Sequence, residues 1–130
     1  MKVAFATTDG VHVNEHFGRA GKFAVYEFTK NDYTDVGFRV FGGYRDEAVE
    51  STRGQGALHE DAVNAKIKKL EDCGIIYVTS IGGPSAARLS RCGIMPVKVK
   101  DGVSIEESAK KLSETIRSGP PPWLMKMLVA

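Results

Sequence analysis

Apolar and polar positions change their period several times along this chain, and each change marks an element. Residues 2–8, KVAFATT, are rich in β-formers and stop at the turn pair Asp9-Gly10, so they read as a first strand. After a polar stretch, KFAVYEFT (22–29) sets Phe23, Val25 and Glu27 against Ala24, Tyr26 and Phe28. Asn31-Asp32 then supplies turn residues before TDVGFRVF (34–41), and the two runs predict an antiparallel hairpin. Residues 42–57 are charged and glycine-rich without any period, which predicts a long, mobile loop.

From His59 the period lengthens. Val63, Ile67 and Leu70 recur at helical spacing, Lys66, Lys68 and Lys69 fill other positions, and Gly74 stops the helix. IIYVTSI (75–81) opens as a continuous apolar run, the mark of a central strand covered on both faces. Gly82-Gly83-Pro84 then starts a short helix, 84–92, closed by Gly93. IMPVKV (94–99) is a further strand whose Pro96 lacks an amide donor and suits a sheet edge or the end of a ladder. Ser104 and Glu107 make a capping box for a last helix with Ile105, Ala109, Leu112 and Ile116 on one stripe.

The order β-β-β-α-β-α-β-α predicts an α/β fold: a mixed five-stranded sheet with an antiparallel hairpin on one side, right-handed parallel crossovers on the other, and three helices. If the first and fourth strands are adjacent and parallel, the loop after Thr8 and the SIGGP turn share one edge of the sheet. Ligands of open α/β sheets collect at that edge. The tail GPPPWLMKMLVA holds the sole Trp and is expected to pack on its own domain, with docking on a partner as the alternative.

Length and charge narrow the class. A chain of 130 residues, 42% hydrophobic, suits one domain over 1–130. Lys and Arg number 18 against 16 Asp and Glu, with no basic block, so nucleic acid is not the expected partner. No run approaches a membrane span, and MKVAFATTDG is too short in apolar residues for a secretory leader. Two cysteines without a CxxC pairing read as reduced thiols, and the cytoplasm is the expected compartment.

The candidate chemistry lies in the polar stretch. His16 is the best ligand there, because imidazole nitrogen binds iron well and Phe17-Gly18 gives a tight turn that can project it. Its plainer reading is a bond to a neighbouring carbonyl. Arg19 and Lys22 flank the turn with positive charge, and the helix start at Gly82-Gly83 offers amide groups at the same edge. His59 is either a helix-start residue or a second nitrogen ligand, whereas His12 alternates with Val11 and Val13 and is set aside as exposed. Cys73 and Cys92 precede the fourth and fifth strands, so they should lie at the opposite edge, ~16–20 Å away, as small packing residues at helix ends. A two-metal nuclease is disfavoured: Asp9 is one possible carboxylate, but the fourth strand ends Thr79-Ser80-Ile81 and brings none. Ser85 has no identifiable base.

Three stretches carry a resemblance: DGVHVNEHFGRAGKFAVYEF, VNAKIKKLEDCGIIYVTSIGG, and GIMPVKVKDG with SGPPPWL. Together they resemble the dinitrogenase iron-molybdenum cofactor biosynthesis family over nearly the whole chain, and HFGRA is the strongest single motif. The resemblance implies an RNase H-like fold and a non-catalytic carrier. Its cargo would be an iron-sulfur precursor of the iron-molybdenum cofactor, NifB-co or a relative, bound transiently. A NifB-like donor and a NifEN-like acceptor are the implied partners. It places a cluster-binding histidine at His16; beside it, Phe17, Gly18, Arg19, Gly82 and Gly83 are read from their chemistry as cofactor contacts and His59 as a second metal candidate. Such a cargo carries negative charge, so positive groups and amide dipoles matter more than a thiolate cage. The alternatives are an interaction module of the same fold that binds no cluster, and a hydrolase.

Overall fold

The computed structural model describes residues 1–41 and 56–129, with 56–62 and 129 described by backbone alone. The strands are β1 (Lys2–Ala6), β2 (His12–Val13), β3 (Lys22–Phe28), β4 (Tyr33–Val40), β5 (Cys73–Val78), β6 (Met95–Lys98) and β7 (Val103–Ser104). The helices are α1 (Gly56–Lys69), α2 (Gly83–Arg91), α3 (Ile105–Arg117) and α4 (Pro122–Val129). Most of the expected connection over 42–57 lies outside the described residues; its last two, Gly56 and Ala57, already belong to α1.

Five strands form one mixed sheet in the order β4-β3-β1-β5-β6. β3 is antiparallel to both β1 and β4, whereas β1–β5 and β5–β6 are parallel. The predicted hairpin, central parallel pair and edge position of Pro96 are all present.

The period-2 alternation of the strands divides the core into two layers. Ala4, Ala6, Phe23, Val25, Ile76 and Val78 share a cluster with Val63, Ile67 and Leu70 of α1 and Leu89 of α2. Val3, Phe5, Ala24, Phe28 and Ile75 share the other with Ile105, Ala109, Leu112 and Ile116 of α3 and Leu124 of α4. β1 is therefore covered on both faces, and its residues from Val3 to Ala6 are fully buried. At the start of α3 the Ser104 half of the capping box is formed, with Ser104 Oγ accepting the Glu107 N–H at 3.2 Å.

The expectation of three helices is corrected to four among the described residues. Prolines at 120–122 end α3's exit and preset the backbone for α4, with Pro122 as its first residue. PWLMKMLV is apolar on nearly every side, so no helical stripe announces it. Leu124 is buried and Leu128 packs against the α3 layer, which anchors the tail on its own domain while Trp123 and Met125 stay largely exposed. The second addition is the short β2–β7 ladder, which pairs His12 with Ser104 and Val13 with Val103. Two-residue ladders carry no readable period.

At the sheet edge opposite the candidate site, Arg39 of β4 clamps the α1–β5 corner. Its Nη1 donates to the Lys69 carbonyl at 2.8 Å, and its Nη2 to Asp72 Oδ2 at 2.7 Å. The guanidinium holds the Asp72 carboxyl down at about 2. A carboxyl with a depressed native pKa contributes stability above its unfolded value, and that contribution vanishes as pH falls through the native one. The urea midpoint of Asp72→Asn should thus lie below wild type near neutral pH. The two should converge as pH drops from about 4 to about 2.

Candidate functional site

The polar stretch that follows β1 is largely self-satisfied. Asp9 Oδ1 accepts the N–H groups of Val11 and His12, each at 2.8 Å, and the Thr7 hydroxyl at 3.1 Å. Asp9 Oδ2 meets His12 Nδ1 at 2.8 Å. These bonds, the His12 side chain foremost, hold the Asp9 carboxyl well below the usual carboxylate range. Asn14 Oδ1 accepts the Thr8 N–H at 2.9 Å, and the Asn14 N–H donates to the Ala6 carbonyl at 3.2 Å. Gly10 has φ +76°, and a Cβ there would meet the Phe38 ring at 2.9 Å. Only glycine fits both the turn and the ring.

Beyond Asn14 the chain runs beside the end of β5. Thr79 N–H donates to the Glu15 carbonyl at 3.0 Å, Phe17 N–H donates to the Ser80 carbonyl at 2.9 Å, and His16 bridges to Ser80 in parallel. A tight turn follows, in which the His16 carbonyl accepts the N–H groups of Arg19 at 3.1 Å and Ala20 at 3.0 Å. The imidazole of His16 is left exposed. It borders an open concavity of about 200 Å³ shared with Gly18, Val63, Ser80, Ile81, Gly82 and Ser85. Gly82 is the N-cap of α2, and no side chain caps that helix start. The loop after β1 and the turn after β5 thus meet at one edge, as expected from the parallel pairing.

Individual candidates fare differently. His16, Gly18 and Gly82 line the concavity, Gly83 begins the helix behind it, and Arg19 is exposed on the turn. Phe17 corrects its expected role as a contact: its ring is 1% exposed and sits 6.2 Å from the ring of Phe23, so it anchors the turn in the core. Lys22 directs its amine over the Phe38 ring at 4.9 Å. The His59 side chain lies outside the described residues. Cys73 is buried at the start of β5, where desolvation pushes its thiol up to about 11. Cys92 does not pack as expected; it is exposed. It occupies the C-cap of α2, and the following turn through Gly93 hands the packing position to Ile94, 1% exposed.

One contributor escaped the sequence reading. Lys66, placed with Lys68 and Lys69 off the apolar stripe of its helix, is 5% exposed. Its Nζ donates to the carbonyls of Phe17 at 3.0 Å and Gly18 at 3.2 Å, and lies 5.6 Å from the centre of the Phe17 ring. The signal was available: Lys66 stands three residues after Val63 and four before Leu70, on the apolar stripe itself.

Among the described residues, no three His, Cys, Asp or Glu side chains converge. The donor set is one protruding imidazole beside exposed glycines, which suits a cargo that brings most of its own ligands.

These features define a mixed α/β domain that presents His16 at the carboxyl edge of its parallel strands. The chain belongs to the family described as dinitrogenase iron-molybdenum cofactor, whose profile matches residues 1–115. It is 38% identical to Protein NifX of Herbaspirillum seropedicae over 128 residues, 98% of this chain and 82% of that protein. Protein NifY of Klebsiella pneumoniae is 32% identical over 98% of this chain and 51% of its own length. The FeMo cofactor biosynthesis protein NifB of Herbaspirillum seropedicae is 33% identical over 92% of this chain, which spans 22% of that protein. The crystal structure of PH0822 shares the fold, with a TM-score of 0.54 at 21% identity, over 91% of this chain and 87% of that one.

The turn depends on its aromatic anchor. Truncation of Phe17 to Ala leaves a cavity in the layer under α1 and should lower the unfolding free energy by about 3–5 kcal/mol, measured by urea denaturation.

Proposed function

We propose that this chain is a non-catalytic carrier that takes up an iron-sulfur precursor of the iron-molybdenum cofactor, of the NifB-co type, and passes it on during assembly. The observation that carries the reading is the exposed His16 imidazole beside an open concavity, fastened through the bridge to Ser80. Similarity to NifX, NifY and NifB proteins supports the pathway. The strand order, with the second long strand antiparallel to its neighbours, supports an RNase H-like assignment.

Single-point ligation suits a carrier, because a cargo caged on every side exchanges slowly. In this reading His16 supplies the protein ligand, while Arg19 and the Gly82-Gly83 helix start face the negative charge of the sulfides. His59 would add a second nitrogen from α1. The donor is a NifB-like protein and the acceptor a NifEN-like one, both met in the cytoplasm. The described residues include no helix long and apolar enough to cross a membrane. Hydrolysis at Asp9 is disfavoured, because both carboxylate oxygens are engaged within their own turn.

Anaerobic incubation with NifB-co, followed by gel filtration and iron analysis, tests this. His16→Ala should lower affinity by about tenfold or more, whereas a Cys73→Ser, Cys92→Ser double variant should bind like wild type. Full iron retention by the His16 variant would overturn the assignment.

A further inference from the structure

We propose that Lys66 is the positioning residue of this site, and that through it the site selects an anionic, sulfide-bearing metal cluster. The inference rests on the carrier reading and deepens it. A primary amine that is 95% removed from solvent carries a desolvation cost that must be met by bonded partners. Its Nζ donates to the carbonyls of Phe17 and Gly18, the two residues directly after the exposed histidine.

Those bonds have a consequence on the other side of the turn. The peptides are trans, so each N–H points opposite to the carbonyl of the same unit. Drawing the Phe17 carbonyl toward Lys66 therefore turns the Gly18 N–H away from the buried amine. The next peptide back is fixed separately: Phe17 N–H donates to the Ser80 carbonyl at 2.9 Å, which ties the turn to the end of β5. Ser80 and Gly18 both line the concavity that His16 borders. Lys66 thus sets one imidazole and one amide donor at the same opening. A cluster metal takes the imidazole, and a sulfide next to that metal accepts the Gly18 N–H. An amide donor rewards an anionic acceptor, and glycine at 18 keeps the approach clear of a side chain.

The chemistry is ligand exchange without redox change. With a synthetic [4Fe–4S] dianion capped by four small alkyl thiolates as probe, neutral imidazole forms one Fe–N bond while one Fe–S(thiolate) bond breaks. The thiolate leaves with its electron pair, so the bound cluster carries one negative charge fewer.

The test is titration of this dianion into ¹⁵N-labelled full-length protein under anaerobic conditions, with wild type, Lys66→Met and His16→Ala. In wild type the Gly18 amide resonance should move with cluster uptake, and it should move less in Lys66→Met at equal cluster occupancy, a difference that a purely structural lysine does not predict. Lys66→Met, if its amide spectrum stays dispersed, should bind about tenfold more weakly and lose the Gly18 response. Wild-type uptake with an unmoved Gly18 amide overturns the proposal, whether or not the variant folds. So does a folded Lys66→Met protein that binds within about twofold of wild type. Failure of the carrier reading looks different: wild type takes up no dianion, or His16→Ala takes it up equally well.

Discussion

The parallel pairing of β1 with β5 is the constraint on which the rest of the molecule depends. It sets Val3 against Ile75, Ala4 against Ile76 and Phe5 against Tyr77, so both strands end at the same edge. The His16 turn and the Gly82-Gly83 helix start are both chain that has just left one of these two strands. The bridge between His16 and Ser80 extends the same pairing past the regular sheet, without which the turn would be an ordinary surface loop. Central parallel strands need cover on both faces, and the four helices supply it in two pairs.

The site combines a rigid base with an open mouth. Below the turn lie a buried aromatic ring and a buried amine; above it lie an exposed imidazole and glycines. Such a division is what the proposed carrier role requires of a site that holds a bulky inorganic group and then releases it. Strong ligation from several side chains would fix the cargo more firmly, but the described residues gather no such set. In the proposed carrier role, precision would come from fixing His16 through the carbonyls and amides of its own turn.

The opposite edge of the sheet has a different character. Arg39, Asp72 and Lys2 tie β4, β1 and the start of β5 together by charge, with Lys2 Nζ 3.7 Å from Asp72 Oδ2. Cys73 sits behind them, kept protonated by burial. A thiol in that state is a poor metal ligand, because the thiolate is the binding form. The sheet therefore separates an end tied by charge from the end that carries the His16 turn, and the cysteines belong to the first or, for Cys92, to an exposed helix cap.

Periodicity made most of the architecture legible, since strands alternate every second residue and helices every third or fourth whatever their neighbours do. The five main strands, the helix carrying Val63 and Ile67, the Ser104 cap and the edge position of Pro96 all follow from such local rules. The tail helix did not, because a segment apolar all round has no stripe, and the β2–β7 ladder did not, because two residues make no pattern. His16 could be singled out by residue type and by the glycine after it. That its turn is held by Lys66, forty-nine residues along the chain, was settled only when the sheet brought α1 under the loop. A lysine on an apolar stripe is either an outlying solvated charge or a buried donor, and which one depends on whether carbonyls from a distant segment arrive to meet it.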